Sequence, residues 1–187
     1  MSTEALELAF AKARGILANV KSEQLSAPTP CQSWQVRDVV NHMIGVSFLF
    51  ADAVNSGTGA SPSDADFSSG DMLASYDDGI HQAVAAFGTP GAQEKMITLP
   101  FGTLPGSVFM GIATTDAFAH GWDLAKATGQ STDIDPELAA QLLEGARMFV
   151  QPAFRGEDGK APFGPEQPAP ADASTADQLA AFLGRRL

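Results

Sequence analysis

The sequence is poor in the residues that carry most redox and cross-linking chemistry. It has a single cysteine, one tyrosine, two tryptophans and three histidines among 187 residues. One cysteine cannot close an internal disulfide, which excludes a secreted, cross-linked scaffold. Positive charge is scarce as well: 11 Lys and Arg face 22 Asp and Glu, for a formal net charge of −11. Such a field repels a phosphate backbone or an anionic lipid surface, so neither a nucleic-acid nor a membrane partner is expected. No apolar run approaches the ~18 residues of a membrane span. The opening MSTEALELAF is acidic and helical in pattern, without the basic start of a signal peptide, and a cytoplasmic location is expected. Nucleophile-elbow, P-loop and dinucleotide-binding fingerprints are lacking too.

What remains is ordinary globular composition, 44% hydrophobic and 18% charged, with enough length for one domain spanning residues 1–187. Helical periodicity dominates. Leu6, Phe10, Ala13, Leu17 and Val20 mark one face of a first helix, capped by Ser2 or Thr3. Pro28 and Pro30 break the pattern, and Ser33 is the expected N-cap of a second helix running to about Asn55. The small, polar stretch NSGTGASPSDADFSSG reads as an exposed connection to a third helix bearing Leu73, Tyr76, Ile80, Ala83, Val84 and Phe87. Met96, Ile97 and Leu99 followed by Pro100-Phe101-Gly102-Thr103 suggest a short β-hairpin or extended insert. A long helix then opens at Pro105 or Gly106 and closes at Gly129. A fifth helix, capped by Asp135, lasts to about Val150. Five of the twelve prolines fall between 152 and 170, so that segment is expected to wrap over the surface before a last short helix, Thr175–Leu183. The sum is an all-α helical bundle with an additional helix, a small extended insert and a proline-rich C-terminal tail. If an apolar helix face stays exposed, two copies would pair as a homodimer.

Chemistry concentrates on two of these helices. Val39, His42, Val46, Leu49 and Ala53 recur at steps of three and four, which puts His42 in line with core residues. On the long helix, Phe109, Ile112, Ala113, Asp116, His120, Leu124 and Ala127 share a face. Asp116 and His120 are i and i+4, so they stack one turn apart and point the same way. A buried carboxylate and buried imidazoles each need partners, or burial costs several kcal/mol. A divalent metal held by His42, Asp116 and His120 would satisfy all three at once. Two nitrogens and one oxygen suit zinc, with nickel, iron or manganese as alternatives, and three protein ligands leave a position open. The plainer reading is a satisfied core histidine and an Asp–His hydrogen bond. Asp123, three residues beyond His120, either replaces Asp116 as ligand or orients His120 from behind. Cys31 is a thiol activated near a helix start or a small buried hydrophobe. Trp34 and Trp122 line a pocket or pack in the core, and His81 reads as a solvated surface residue.

The run TPCQSWQVRDVVNHMIG from Thr29 to Gly45 resembles the opening motif of the mycothiol-dependent maleylpyruvate isomerase N-terminal domain family. This is an actinobacterial group related to the DinB/YfiT-like metalloenzymes. FGTLPG at 101–106 and DAFAHGWDLAKATGQ at 116–130 are similar to its second signature, and Phe163-Gly164-Pro165 to its tail. The resemblance implies a DinB-like four-helix bundle carrying a divalent metal on His42, Asp116 and His120. It further implies a metal-dependent S-transferase or isomerase-like enzyme, using mycothiol as the small-molecule thiol that acts on a small electrophile. The alternative is a non-catalytic metal-binding bundle. Asp116 stands where the isomerase carries Glu, which draws the carboxylate back by about one bond length. The isomerase has an additional C-terminal domain, whereas the family-like tail here ends at Leu187, so maleylpyruvate isomerisation itself is not expected.

Overall fold

A computed structural model describes residues 2–60, 62–157 and 160–187. Ser61 of the polar connection and Asp158 and Gly159 of the proline-rich tail lie outside the described residues. The first helix, α1 (Thr3–Leu17), is capped by Ser2, whose hydroxyl accepts from the Ala5 amide. It buries Leu6, Ala9, Phe10, Ala13 and Leu17, the stripe its periodicity predicts. The second, α2 (Val36–Ser56), begins two residues later than a Ser33 cap would have it. Gln35 is the N-cap, and its amide donates to the Asp38 carboxylate at 2.8 Å. Ser33 is exposed because Thr29 folds the preceding segment into a tight turn, its hydroxyl bonded to the carbonyls of Cys31 and Trp34.

Helix α3 (Met72–Phe87) is capped by Asp71, and α4 (Gly106–Thr128) ends at Gly129 in the left-handed conformation, φ 72°. Between them, β1 (Met96–Leu99) and β2 (Gly102–Pro105) pair antiparallel with Ile97 opposite Leu104. Ile97 and Leu99 are buried, so this hairpin lies against the helices instead of standing free. Helix α5 (Pro136–Phe149) starts at Asp135, which also pairs with Lys12 at 3.1 Å. The tail makes one 3-10 turn at Pro152–Phe154 and then runs irregularly to α6 (Thr175–Phe182). Arg155 anchors that run: its Nη1 donates to the Gly164 and Phe182 carbonyls, and its guanidinium stacks 4.6 Å over the Phe182 ring.

The described residues are thus mostly helical, with six helices and one two-stranded sheet. Helix α1 packs on α3 and α4, α2 packs on the same two, and α5 packs on α6. Gly79 of α3 meets Ser47 of α2, while Phe109 of α4 touches both Phe50 and Phe87. These contacts run α2 and α3 in the same direction with α4 against both. Among the described residues no helix is long and apolar enough to cross a membrane.

Close approach governs two glycines in opposite senses. A Cβ on Gly79 would overlap Ser47 Oγ and lie 3.0 Å from Ser47 Cβ. Ser47 is buried and its hydroxyl is committed to the Ile44 carbonyl at 2.7 Å. Gly79→Ala is therefore expected to lower stability by about 1–3 kcal/mol, because overpacking outweighs the gain in helix propensity. Gly145 in α5 has nothing within 4 Å of its would-be Cβ, and Gly145→Ala should instead gain roughly 0.5–1 kcal/mol. Thermal melts of the two variants should move in opposite directions.

A second test concerns pH. Arg14 holds the Asp77 carboxylate through two hydrogen bonds, at 2.5 and 2.7 Å, and this bonding keeps the Asp77 carboxyl below its ordinary value against a smaller opposing effect of burial. A carboxyl depressed on folding contributes stability above its unfolded pKa of about 3.9 and loses it as pH falls through the folded value. Wild type should melt higher than Asp77→Asn at neutral pH, and the gap should close as the solution is acidified below pH ~4.

Candidate functional site

Two helices deliver the central residues. His42 lies in the first two turns of α2, between the buried Val39 and Val46, and Asp116 and His120 lie on successive turns of α4. Because α4 runs against α2, the two faces meet. Both imidazoles turn Nε2 toward one carboxylate oxygen: His42 Nε2 is 3.3 Å and His120 Nε2 is 3.6 Å from Asp116 Oδ1. One nitrogen from each histidine and one Asp116 oxygen lie within 4.8 Å of one another. The Trp34 indole covers both rings, its centroid 4.8 Å from that of His42 and 5.5 Å from that of His120.

A second carboxylate sits behind. Asp123 has no exposed surface. Its Oδ2 accepts from His120 Nδ1 at 3.0 Å, from Arg185 Nη2 at 3.0 Å and from the Cys31 thiol at 3.3 Å, and its Oδ1 takes Arg185 Nε at 3.2 Å. Burial alone would push this carboxyl up; the Arg185 charge and the bonds from His120 and Arg185 overcome it and hold Asp123 well below the ordinary carboxylate range. Burial likewise opposes ionisation of Asp116, and charge on His42 and His120 with the His42 hydrogen bond reverses it, so Asp116 also lies below its ordinary value. Arg185 is raised: burial works against its charge, but Asp123 and Cys31 outweigh burial.

Donor chemistry separates two overlapping clusters. Cys31, His120 and Asp123 also bring ligand-type atoms within 4.8 Å of one another. There, however, Asp123 is committed to a two-pronged arginine, and Nδ1 of His120 is spent on Asp123. In the other cluster Asp116 Oδ2 is buried and has no hydrogen-bond partner, although its twin oxygen faces two Nε2 atoms. Oδ1 and the two Nε2 atoms turned toward it make a two-nitrogen, one-oxygen donor set of the kind that holds a divalent cation. His42, Asp116 and His120 therefore fit a divalent metal, with Nδ1–H of His120 turned to Asp123 in the manner of metal-bound histidines.

A cleft of about 760 Å³ opens beside these three side chains, walled on one side by Cys31 and Trp34 and on the other by the tail, including Lys160, Arg185 and Arg186. Trp122 takes no part in it. Its indole is 1% exposed and donates to Asp177 at 2.8 Å, so this tryptophan ties α4 to α6 instead of lining the cleft. His81 is exposed, one turn from Asp77, and does not line the cleft. Sequence reading missed Arg185. The signal available was indirect: a second acid three residues after His120, once set behind that histidine and out of water, requires a cation from somewhere. Tyr76 was read only as a member of an apolar stripe, yet its hydroxyl is buried without a partner.

A family model described as the mycothiol maleylpyruvate isomerase N-terminal domain matches residues 6–125. Two proteins of Mycobacterium tuberculosis strains, both named only as uncharacterised, are each 45% identical over 175 residues, covering 91% of this chain and 90% of their own. Among solved structures, mycothiol-dependent maleylpyruvate isomerase is similar with a TM-score of 0.57 at 15% identity, and a histidine-to-alanine mutant of that enzyme with 0.57 at 13%. Each alignment covers 76% of this chain and 68% of the other. At that identity the likeness speaks for the fold. The matched span holds His42, Asp116, His120 and Asp123 but not Arg185. On the family match and its extent, this chain belongs to the mycothiol maleylpyruvate isomerase N-terminal domain family.

Proposed function

We propose that this chain is a divalent-metal-dependent enzyme that adds a low-molecular-weight thiol, mycothiol, to a small electrophile or uses it to isomerise one. The observation that carries the reading is the convergence of His42, Asp116 and His120, with both Nε2 atoms turned toward Asp116 Oδ1 beside a cleft. Family membership supports the thiol, since both the family and its structurally similar enzyme are named for mycothiol. The pairwise packing of α1 to α4 supports a DinB-like four-helix bundle as the scaffold.

In this reading His42, Asp116 and His120 hold the cation, and two nitrogens with one oxygen favour zinc. A bound divalent cation supplies the charge that favours the thiolate form of an incoming thiol. Asp123 fixes the His120 ring so that Nε2 faces the site, and Arg185 keeps Asp123 ionised. Trp34 lies against both imidazoles and excludes water from that side. Cys31 and the tail form the walls against which thiol and electrophile would be oriented. A purely structural metal would favour a closed ligand shell; the cleft reaching all three side chains favours the catalytic reading over a non-catalytic metal-binding bundle.

Elemental analysis after chelator-free purification should find a stoichiometric divalent metal in wild type and little in His42→Ala. Wild type should conjugate mycothiol to activated alkenes or epoxides, and chelation should abolish the turnover. A metal-free wild type sinks the reading, while tightly held metal without thiol-dependent turnover across a broad electrophile panel favours the non-catalytic bundle. Arg185→Met should weaken metal binding by roughly 10–100-fold through loss of the partner that sets Asp123 and hence His120. It should also destabilise the fold by about 3–5 kcal/mol, the cost of leaving a buried carboxylate unpaired. The double variant Arg185→Met/Asp123→Asn should regain part of the lost stability but not the metal affinity.

A further inference from the structure

Among the described residues, the buried side-chain polar atoms left without a hydrogen bond are Tyr76 Oη and Asp116 Oδ2. One is a donor and the other an acceptor. Their helices do not carry them together by sequence, yet the packing puts them in one layer. Gly79 of α3 lies against Ser47 of α2, and the two helices run in the same direction. Stepping back one turn on each brings Tyr76 level with the His42 end of α2. From α1, Phe10 meets the Tyr76 ring edge-on with centroids 6.2 Å apart. Ala13, one turn further along α1, lies against Gly121 of α4, which is itself just over one turn beyond Asp116. Tyr76, Phe10, His42 and Asp116 therefore share a cross-section of the helices.

We propose that Tyr76 is a positioning residue for Asp116: its hydroxyl donates to Asp116 Oδ2 through a buried water, leaving Oδ1 to face His42, His120 and the metal. The pairing follows from elementary accounting. Tyr76 is 1% exposed, so bulk solvent does not serve its hydroxyl, and buried hydroxyls and carboxylate oxygens are nearly always bonded to protein or ordered water. Direct contact is not made, so a bridging water is the smallest link that satisfies both atoms. Asp116 also acts on Tyr76 electrically: after burial, its charge is the next influence that keeps the phenol protonated and so a donor. The consequence is a carboxylate fixed in rotation, with one oxygen assigned to the protein and one to the metal. A shorter Asp at this position has fewer rotamers to lose than Glu, but its oxygens still need to be told apart, and Tyr76 supplies the distinction.

This rests on the metal site proposed above, and the experiment separates the two. Zn²⁺ affinity is measured by competition with a chromophoric chelator for wild type and Tyr76→Phe. Tyr76 is the only tyrosine in the chain, so 3-fluorotyrosine labelling gives a single ¹⁹F resonance that reports this hydroxyl in the intact protein. The expected results are a loss of about tenfold in Zn²⁺ affinity for Tyr76→Phe, a larger fall of melting temperature with Zn²⁺ present than in the metal-free form, and a shift of the ¹⁹F line when Zn²⁺ is added to labelled wild type. If wild type binds no Zn²⁺, the metal reading itself is overturned. Equal affinity in both proteins together with a silent ¹⁹F line overturns the role of Tyr76 alone and leaves the metal site standing. Should Tyr76→Phe not fold, the labelled wild type decides: a line unmoved by saturating Zn²⁺ overturns the proposal.

Discussion

A carboxylate with no exposed surface, Asp123, sets the terms for the structure around it. An ion in an apolar interior costs several kcal/mol unless paired and hydrogen-bonded. The cation of α4's own last turn, Lys126, is exposed to solvent. The pairing group comes from Arg185, 62 positions along the chain, with His120 and Cys31 taking the remaining capacity of the carboxylate. Satisfying one buried charge therefore brings the chain end onto α4. That return of the tail raises one wall of the cleft, so an electrostatic requirement in the interior shapes the space outside it.

The same helix is fastened from another side by Trp122, whose indole reaches Asp177 on α6. Its second half is enclosed by α1, α2 and α6, with Ala117 through Ala125 all buried. Side chains on such an element have little freedom to drift, which suits a site that must hold donor atoms within fractions of an ångström. Small residues make the enclosure feasible. Gly121 lets α1 approach so closely that a Cβ there would sit 3.2 Å from the Ala13 backbone. Thus the cleft-facing side of α4 is defined by what the opposite sides lock in place.

Local pattern made most of this legible. The 3.6-residue period located α1 to α5, Asp135 and Gly129 marked helix ends by their own side-chain and backbone chemistry, and the i, i+4 spacing of Asp116 and His120 put both on one face. The N-cap of α2 was misread because Ser33 is a good capping residue in isolation, whereas the turn built by Thr29 spends those positions and hands the cap to Gln35 and Asp38. Trp122 was ambiguous for a different reason: an indole beside a site motif looks alike in sequence whether it faces a cleft or a neighbouring helix, and only α6 decides. Arg185 was hidden because nothing local distinguishes it from Arg186. Its partner is chosen by tertiary return, a contact no periodicity encodes.

The family match and the cleft divide the molecule in an informative way. Residues 6–125 contribute His42, Asp116, His120, Cys31 and Trp34, which is the half of the cleft that would hold metal and thiol. The facing wall, from Gly156 to Arg186, lies beyond that span. It is irregular, anchored by Arg155 on two carbonyls, and presents Lys160 and Arg186 on a protein of net charge −11. In the function proposed above, metal and thiol fall to the part of the cleft inside the matched span, and the choice of electrophile falls to the wall outside it. A tail of different sequence fastened to the same buried Asp123 would change the substrate without disturbing the ligands. In this chain a single arginine, Arg185, makes that attachment to Asp123.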